Sequence, residues 1–201
     1  MASPTTGKTV TKLSDDLARV LPHLQLDEQG RSAVAGCTDS TEALARLEQA
    51  GLLVEATRLV AHALPAREAV WWACACSRHT AASGTDPAAE AKVREAAEEW
   101  VRKPTDEHRR SAMKQAEATG FGSAEAWAAV GAFWSGDSMA PLEAPKVPPQ
   151  PHFTGLAVAG SIALAAARGP AARRDDRLAR FLTSAKDIAA GGAGRLEAEP
   201  D

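Results

Sequence analysis

The chain has 201 residues, 45% of them hydrophobic and 24% charged, with a formal net charge of −3. Those proportions are those of a globular protein, and the length buries a core without help from disulfides or a structural metal. The slight acidic excess argues against nucleic acid as a partner, because nucleic-acid binders present a basic face.

Alanine runs at 88–97, 124–132 and 157–167 point to helices, since helix formation costs an alanine side chain no entropy. Tyrosine is absent and β-branched residues are sparse, which disfavours sheets. Trp71, Trp72, Trp100, Trp127 and Trp134 carry most of the aromatic bulk, so closely packed helices pinned by large rings are expected. Cys37, Cys74 and Cys76 form no disulfide framework, as in a reducing compartment. The first residues, MASPTTGKTVTKLSDD, lack the apolar core of a secretory signal. A cytoplasmic protein is the expectation.

Residues 1–12 read as a flexible tail. Ser14 is placed to cap a first helix ending near Leu21, with Asp15 and Asp16 in its first turn. Residues 27–38 are ambiguous, with breaks at Gly30 and Gly36. Asp39 and Glu42 have capping-box spacing and open a helix over 40–49 that Gly51 ends. Leu52, Ala56, Leu59, Val60 and Ala63 continue at helical spacing. Pro65 fits the first turn of a helix to about 81, and Asp86-Pro87 starts one that reaches Lys103. The latter carries Glu90/Arg94, Arg94/Glu98, Glu98/Arg102 and Glu99/Lys103 pairs, the pattern of a solvated face. Pro104-Thr105 opens the next, to about Thr119, and Ser123 caps another whose Trp127, Val130 and Trp134 share one side. Residues 135–151, SGDSMAPLEAPKVPPQP, cannot be helical and are expected to strap across the surface. Helices over 153–167 and 171–190 follow, and 191–201 reads as a disordered tail. The fold expected is all-α: a single domain over 13–190 with seven to nine helices. It is either an irregular bundle or a short helical-hairpin array, since Pro65 and Pro104 each open the second helix of an apparent pair.

No motif names a cofactor, and none is expected. Cys74 and Cys76 diverge by about 200° on a helix and cannot grip one metal, and the five histidines lack HxxxH or HExxH spacing. Each histidine therefore reads as structural, with His79 facing Trp72 along its helix. Gly7-Lys8-Thr9 resembles the end of a phosphate loop, but Ala2 stands where the motif needs a glycine. In Arg67-Glu68-Ala69-Val70-Trp71-Trp72, adjacent tryptophans point about 100° apart. That helix is either central in the core or a partner surface anchored by tryptophan, with Arg67 able to stack on Trp71. Arg168, Arg173, Arg174, Arg177 and Arg180 read as a solvated basic face or an anion patch. The turn from Phe133 through Pro141 is a rigid cover or a functional loop. The uncharged stretch 153–167 reads as a buried helix, too short for the ~20 apolar residues of a membrane span.

Three segments, LPAREAVWWAC at 64–74, AWAAVGAFWSGDSMAP at 126–141 and PPQPHFTGLAVAGSIALAA at 148–166, together resemble an uncharacterised family of bacterial helical proteins. Members of that family often lie near type VI (contractile) secretion gene clusters. The resemblance covers roughly 40–190 and brings no catalytic residues with it. It marks Arg67, Glu68, Trp71, Trp72, Phe133, Trp134, Ser138, Pro141 and His152 as signature positions. The expected function is a non-enzymatic protein-binding or adaptor role, the partner being a secretion component or its cargo rather than nucleic acid or membrane. The candidate interaction residues are those signature positions other than Phe133. The alternative is a small-molecule binder or unfamiliar enzyme with a site near Trp134–Ser138 and His152. It requires those side chains to converge on a concave pocket.

Overall fold

The structure, a computed structural model, describes residues 11–14 and 16–200. The expected N-terminal tail lies outside the described residues up to residue 10, as does Gly7-Lys8-Thr9. The described residues contain ten α-helices and no strand: α1 Leu17–Val20, α2 Glu28–Ala33, α3 Ser40–Gln49, α4 Leu53–Ala63, α5 Ala66–His79, α6 Pro87–Arg102, α7 Asp106–Ala118, α8 Ala124–Trp134, α9 Phe153–Ala167 and α10 Arg174–Ala189. The all-α expectation holds. The count exceeds seven to nine because the ambiguous 27–38 stretch holds the short helix α2, capped by Asp27.

Most helix starts are set by a side-chain acceptor for an orphan N–H. Asp39 accepts from Thr41 and Glu42, Asp86 from Ala89, Thr105 from His108 and Ser123 from Ala126. Glu42 reaches back to the N–H of Thr38 rather than Asp39, at 3.0 Å. Pro65 stands just before α5 rather than in its first turn. Gly51 and Gly191 follow α3 and α10 at φ +73° and +95°, left-handed values that a side chain would strain.

Packing decides between the two architectures. The alanine-rich α8 touches α5, α6, α7 and α9 at once, whereas a helical array contacts only sequence neighbours. The fold is an irregular bundle around α8, and small residues let the helices approach it. The position a Cβ would take on Gly131 lies 3.3 Å from Val158 and 3.4 Å from Val70.

The strap 135–151 runs from α8 to α9, and buried Arg109 ties down its start. The Arg109 guanidinium donates to the carbonyls of Phe133 (3.0 Å) and Ser138 (2.7 Å), and it passes so close under Gly136 that a Cβ there would overlap it. Met139 N–H donates to the Val147 carbonyl at 2.8 Å, which pinches off an exposed loop between them.

The expected solvated faces are partly interior. Glu90 and Glu98 of α6 are buried, and Arg177 of α10 is 0% exposed. Arg168 binds Glu125 through both guanidinium Nη atoms, at 3.1 and 2.5 Å, and reaches Glu90 at 3.1 Å. Arg94 joins Glu125 and Glu98, each at 3.6 Å. The i,i+4 pattern marks the right residues but not their side: Glu90 and Arg94 find counter-charges on Arg168 and Glu125, whereas Glu98 keeps Arg94 and Arg102 and adds Arg78 of α5. Residues 191–200 also depart from the expected disordered tail and follow a fixed path along α5 and α10. Trp71 donates to Ala193 O at 2.8 Å, Ser184 to Gly194 O at 2.6 Å, and Glu199 N–H to His79 O at 2.8 Å.

Candidate functional site

Three segments far apart in sequence enclose a cleft of about 1090 Å³: the turn after α1, the end of α4 with the start of α5, and the strap with the start of α9. Its walls include Arg19, His23, His62, Pro65, Trp134, Gly136, Asp137, the prolines 148, 149 and 151, and His152. His23 stacks on His152 with ring centroids 4.2 Å apart and planes 11° apart, and on His62 at 5.3 Å and 27°. His152 meets Phe153 edge-on at 5.1 Å, Phe153 lies 5.0 Å from Trp134, and Trp134 lies 6.3 Å from Trp127. Six rings thus run unbroken from the cleft to α8.

Gly155 makes this stack possible, since a Cβ at that position would overlap the His62 ring. Burial, then the neighbouring His23 and His152, lowers the His62 pKa from 6.5 to about 4. His23 is lowered too, by burial and by His152. Two stacked imidazolium ions would repel, which adds to the burial that lowers His62 and His23. Because the folded His62 pKa lies below its unfolded value, the unfolded chain binds more protons between those two values. The stabilisation is full above about pH 6.5 and is lost as pH falls toward 4. His62 is half-buried, and solvent screening leaves this on the order of 1–2 kcal/mol. Urea unfolding at pH 7.5 and 4.5 should show His62→Gln losing that much less stability than the native chain. An identical loss in both would contradict the assignment.

The stacked rings do not converge their nitrogens on a common point, and no group of three His, Cys, Asp or Glu among the described residues is arranged to hold a metal ion. Cys74 and Cys76 are fully buried, and burial pushes both thiols up. The cleft can therefore recognise shape, stack against a flat group and offer hydrogen bonds from its rings and from Lys12, Arg19 and Asp137.

The structure divides the candidate residues. Trp134 and His152 line the cleft, and Glu68 sits beside it, bonded to Lys12 at 2.8 Å. Ser138 does not face the cleft. It is buried, and its hydroxyl accepts the N–H groups of Ala140 and Val147 at 3.2 and 3.1 Å, which makes it the clasp of the strap. Pro141 is exposed on the pinched loop. Exposed Arg67 donates to Val101 O at 2.6 Å instead of stacking on Trp71, over which Arg78 sits at 5.8 Å. Trp72 is 0% exposed and donates to Phe181 O at 2.9 Å, while Trp71 is half-buried. His79 meets the edge of Phe181 at 5.9 Å rather than Trp72. His23 and His62 escaped the sequence reading because no spacing rule joins positions 23, 62 and 152; only the fold does.

A family model matches residues 43–189, most of the chain. The chain belongs to the family of unknown function DUF6931. The matched span contains His62, Trp134 and His152 of the cleft, and His23 precedes it. No curated protein and no solved structure matches the chain.

Proposed function

We propose that this member of the family is a non-enzymatic adaptor that holds another protein against the outer face of α9. The observation that carries this reading is α9 itself: 15 residues without one charge. One side of α9 is in the core, and the other leaves Leu156 45% and Leu164 39% exposed. Leu156, Gly160, Ala163, Leu164 and Ala167 fall on one helical face, with Ala163 and Ala167 exposed beside the leucines. A solvated helix normally turns charge outward, and an apolar outer face marks an interaction site. No helix among the described residues is long and apolar enough to cross a membrane, and α9 spans only about 22 Å at 1.5 Å per residue. Gly160 leaves a notch between Leu156 and Leu164 along one i, i+4 row, which suits an amphipathic helix of a partner. The family resemblance suggests a component or cargo of a contractile secretion system. Affinity capture of the tagged chain from its own cells, read by mass spectrometry, should return one protein at stoichiometric yield. An empty capture would count against the adaptor role.

The histidine cleft favours a second reading, a small-molecule site, because Trp134 and His152 do converge on a concavity. A ligand that raises the melting temperature of the native chain but not of His152→Ala would support it.

A further inference from the structure

The segment 193–199 lies in a groove between α5 and α10 that is built for an extended, acid-bearing peptide. Arg177 is 0% exposed, and among the described residues its carboxylate partner is Glu199, held by Nε at 2.9 Å and Nη2 at 2.5 Å. Arg173 and His79 flank the same carboxylate at 3.6 and 3.7 Å. Hydrogen bonding from Arg177 holds the Glu199 carboxyl below the usual range. The remaining polar contacts of the segment are largely to its main chain: Trp71 to Ala193 O, Ser184 to Gly194 O, His79 with Glu197 O, and Glu199 N–H to His79 O. Only three side-chain requirements remain. Gly194 is needed because it sits at φ +61° where a Cβ would overlap Ile188. Leu196 packs on the core, and Glu199 meets Arg177. The groove thus reads a Gly-X-Leu-X-X-Glu pattern and otherwise only backbone.

Two further features bear on what fills it. Trp71, His79, Arg173, Arg177 and Ser184 all lie within the family-matched span 43–189, whereas the filling segment lies beyond it. The segment has no helix of its own and is joined to α10 through Gly191-Gly192, whose N–H groups bond the Ile188 and Asp187 carbonyls; breaking those two bonds frees a linker without side chains. Arg177 keeps the Ala166 and Arg168 carbonyls on Nη1, but without Glu199 its charge loses its carboxylate, so an incoming acid is favoured over an empty groove. We propose that the groove between α5 and α10 is a docking site for an extended acidic segment of another protein, and that residues 193–199 occupy it in cis until that segment displaces them. A short tether gives the cis segment an effective concentration on the order of millimolar, so a partner displaces it only when it also binds elsewhere on the chain.

The test uses a fluorescent peptide with the sequence of residues 191–200 and a second with Gln at the Glu199 position. Each is titrated into the full native chain and into full-length Glu199→Lys, whose own segment Arg177 and Arg173 repel. The expected result is that the variant binds the Glu peptide at least 10-fold more tightly than the native chain does, and at least 10-fold more tightly than it binds the Gln peptide. Folded Glu199→Lys that ignores the peptide, or binds both peptides equally, overturns the proposal. A dimer of the native chain formed through exchanged segments also overturns it, by making a second copy the occupant. Should Glu199→Lys fail to fold, the native chain decides. Millimolar nitroxide-labelled Glu peptide should broaden the Trp71 indole N–H resonance, and an unchanged resonance overturns the proposal. Neither readout involves α9, so the adaptor role and this groove stand or fall separately.

Discussion

Replacing Trp72 by alanine is expected to destabilise the fold by about 4–5 kcal/mol, near the top of the range for deleting a buried aromatic side chain. Its indole is 0% exposed on α5, and its N–H satisfies the Phe181 carbonyl of α10 at 2.9 Å. The substitution therefore leaves a cavity and removes a hydrogen bond between α5 and α10 together. At this chain length the melting temperature should drop by roughly 10–20 °C. The adjacent Trp71 is half-buried, with its N–H on the segment that follows α10, so Trp71→Ala should cost about 1–2 kcal/mol. Thermal or urea unfolding of the two variants side by side checks this. Equal losses would mean that the two rings share one environment, against the structure.

Glu125→Ala should cost about 3 kcal/mol or more, because it strips the charge partner from an arginine that stays inside. Glu125 is 0% exposed at the start of α8 and meets Arg168 through two contacts and Arg94 through a third. Arg168 keeps Glu90, at 3.1 Å, and the Ser77 carbonyl, which holds the cost toward the lower part of the usual 3–5 kcal/mol range. The double variant Glu125→Ala/Arg168→Met removes both charges but takes Arg168 from buried Glu90, so it should recover only part of the loss. Denaturant titration of the native chain, the two single variants and the double variant closes the cycle. A double variant as unstable as the sum of the singles would show that the two residues act independently.

These two residues mark what the sequence could and could not say. Helix identity was legible because it is local. Asp39, Asp86, Thr105 and Ser123 announce helix starts, and alanine density announces close packing. Orientation was less legible. Trp71 and Trp72 look alike in sequence, and only the position of α10 makes one core and the other a rim. Glu90, Arg94 and Glu98 have the spacing of exposed pairs, and their burial depends on Arg168, Glu125 and Arg78 arriving from elsewhere. The cleft was half legible: Trp134 and His152 flank the proline strap in sequence, but His23 and His62 join them only through tertiary packing. Ser138 belongs to a distinctive loop in sequence, and its hydroxyl is the strap's own clasp. The apolar outer face of α9 was hidden by its uniformity. An uncharged helix reads as wholly buried until the fold shows which side lacks neighbours.

The central claim is that α9 holds a protein partner, and the most direct measurement compares capture by the native chain with capture by Leu156→Asp/Leu164→Asp. Both side chains are substantially exposed, so the melting temperature should change little while the co-purified partner falls at least 10-fold. A variant that folds normally and recovers the same partner in the same amount would contradict the account.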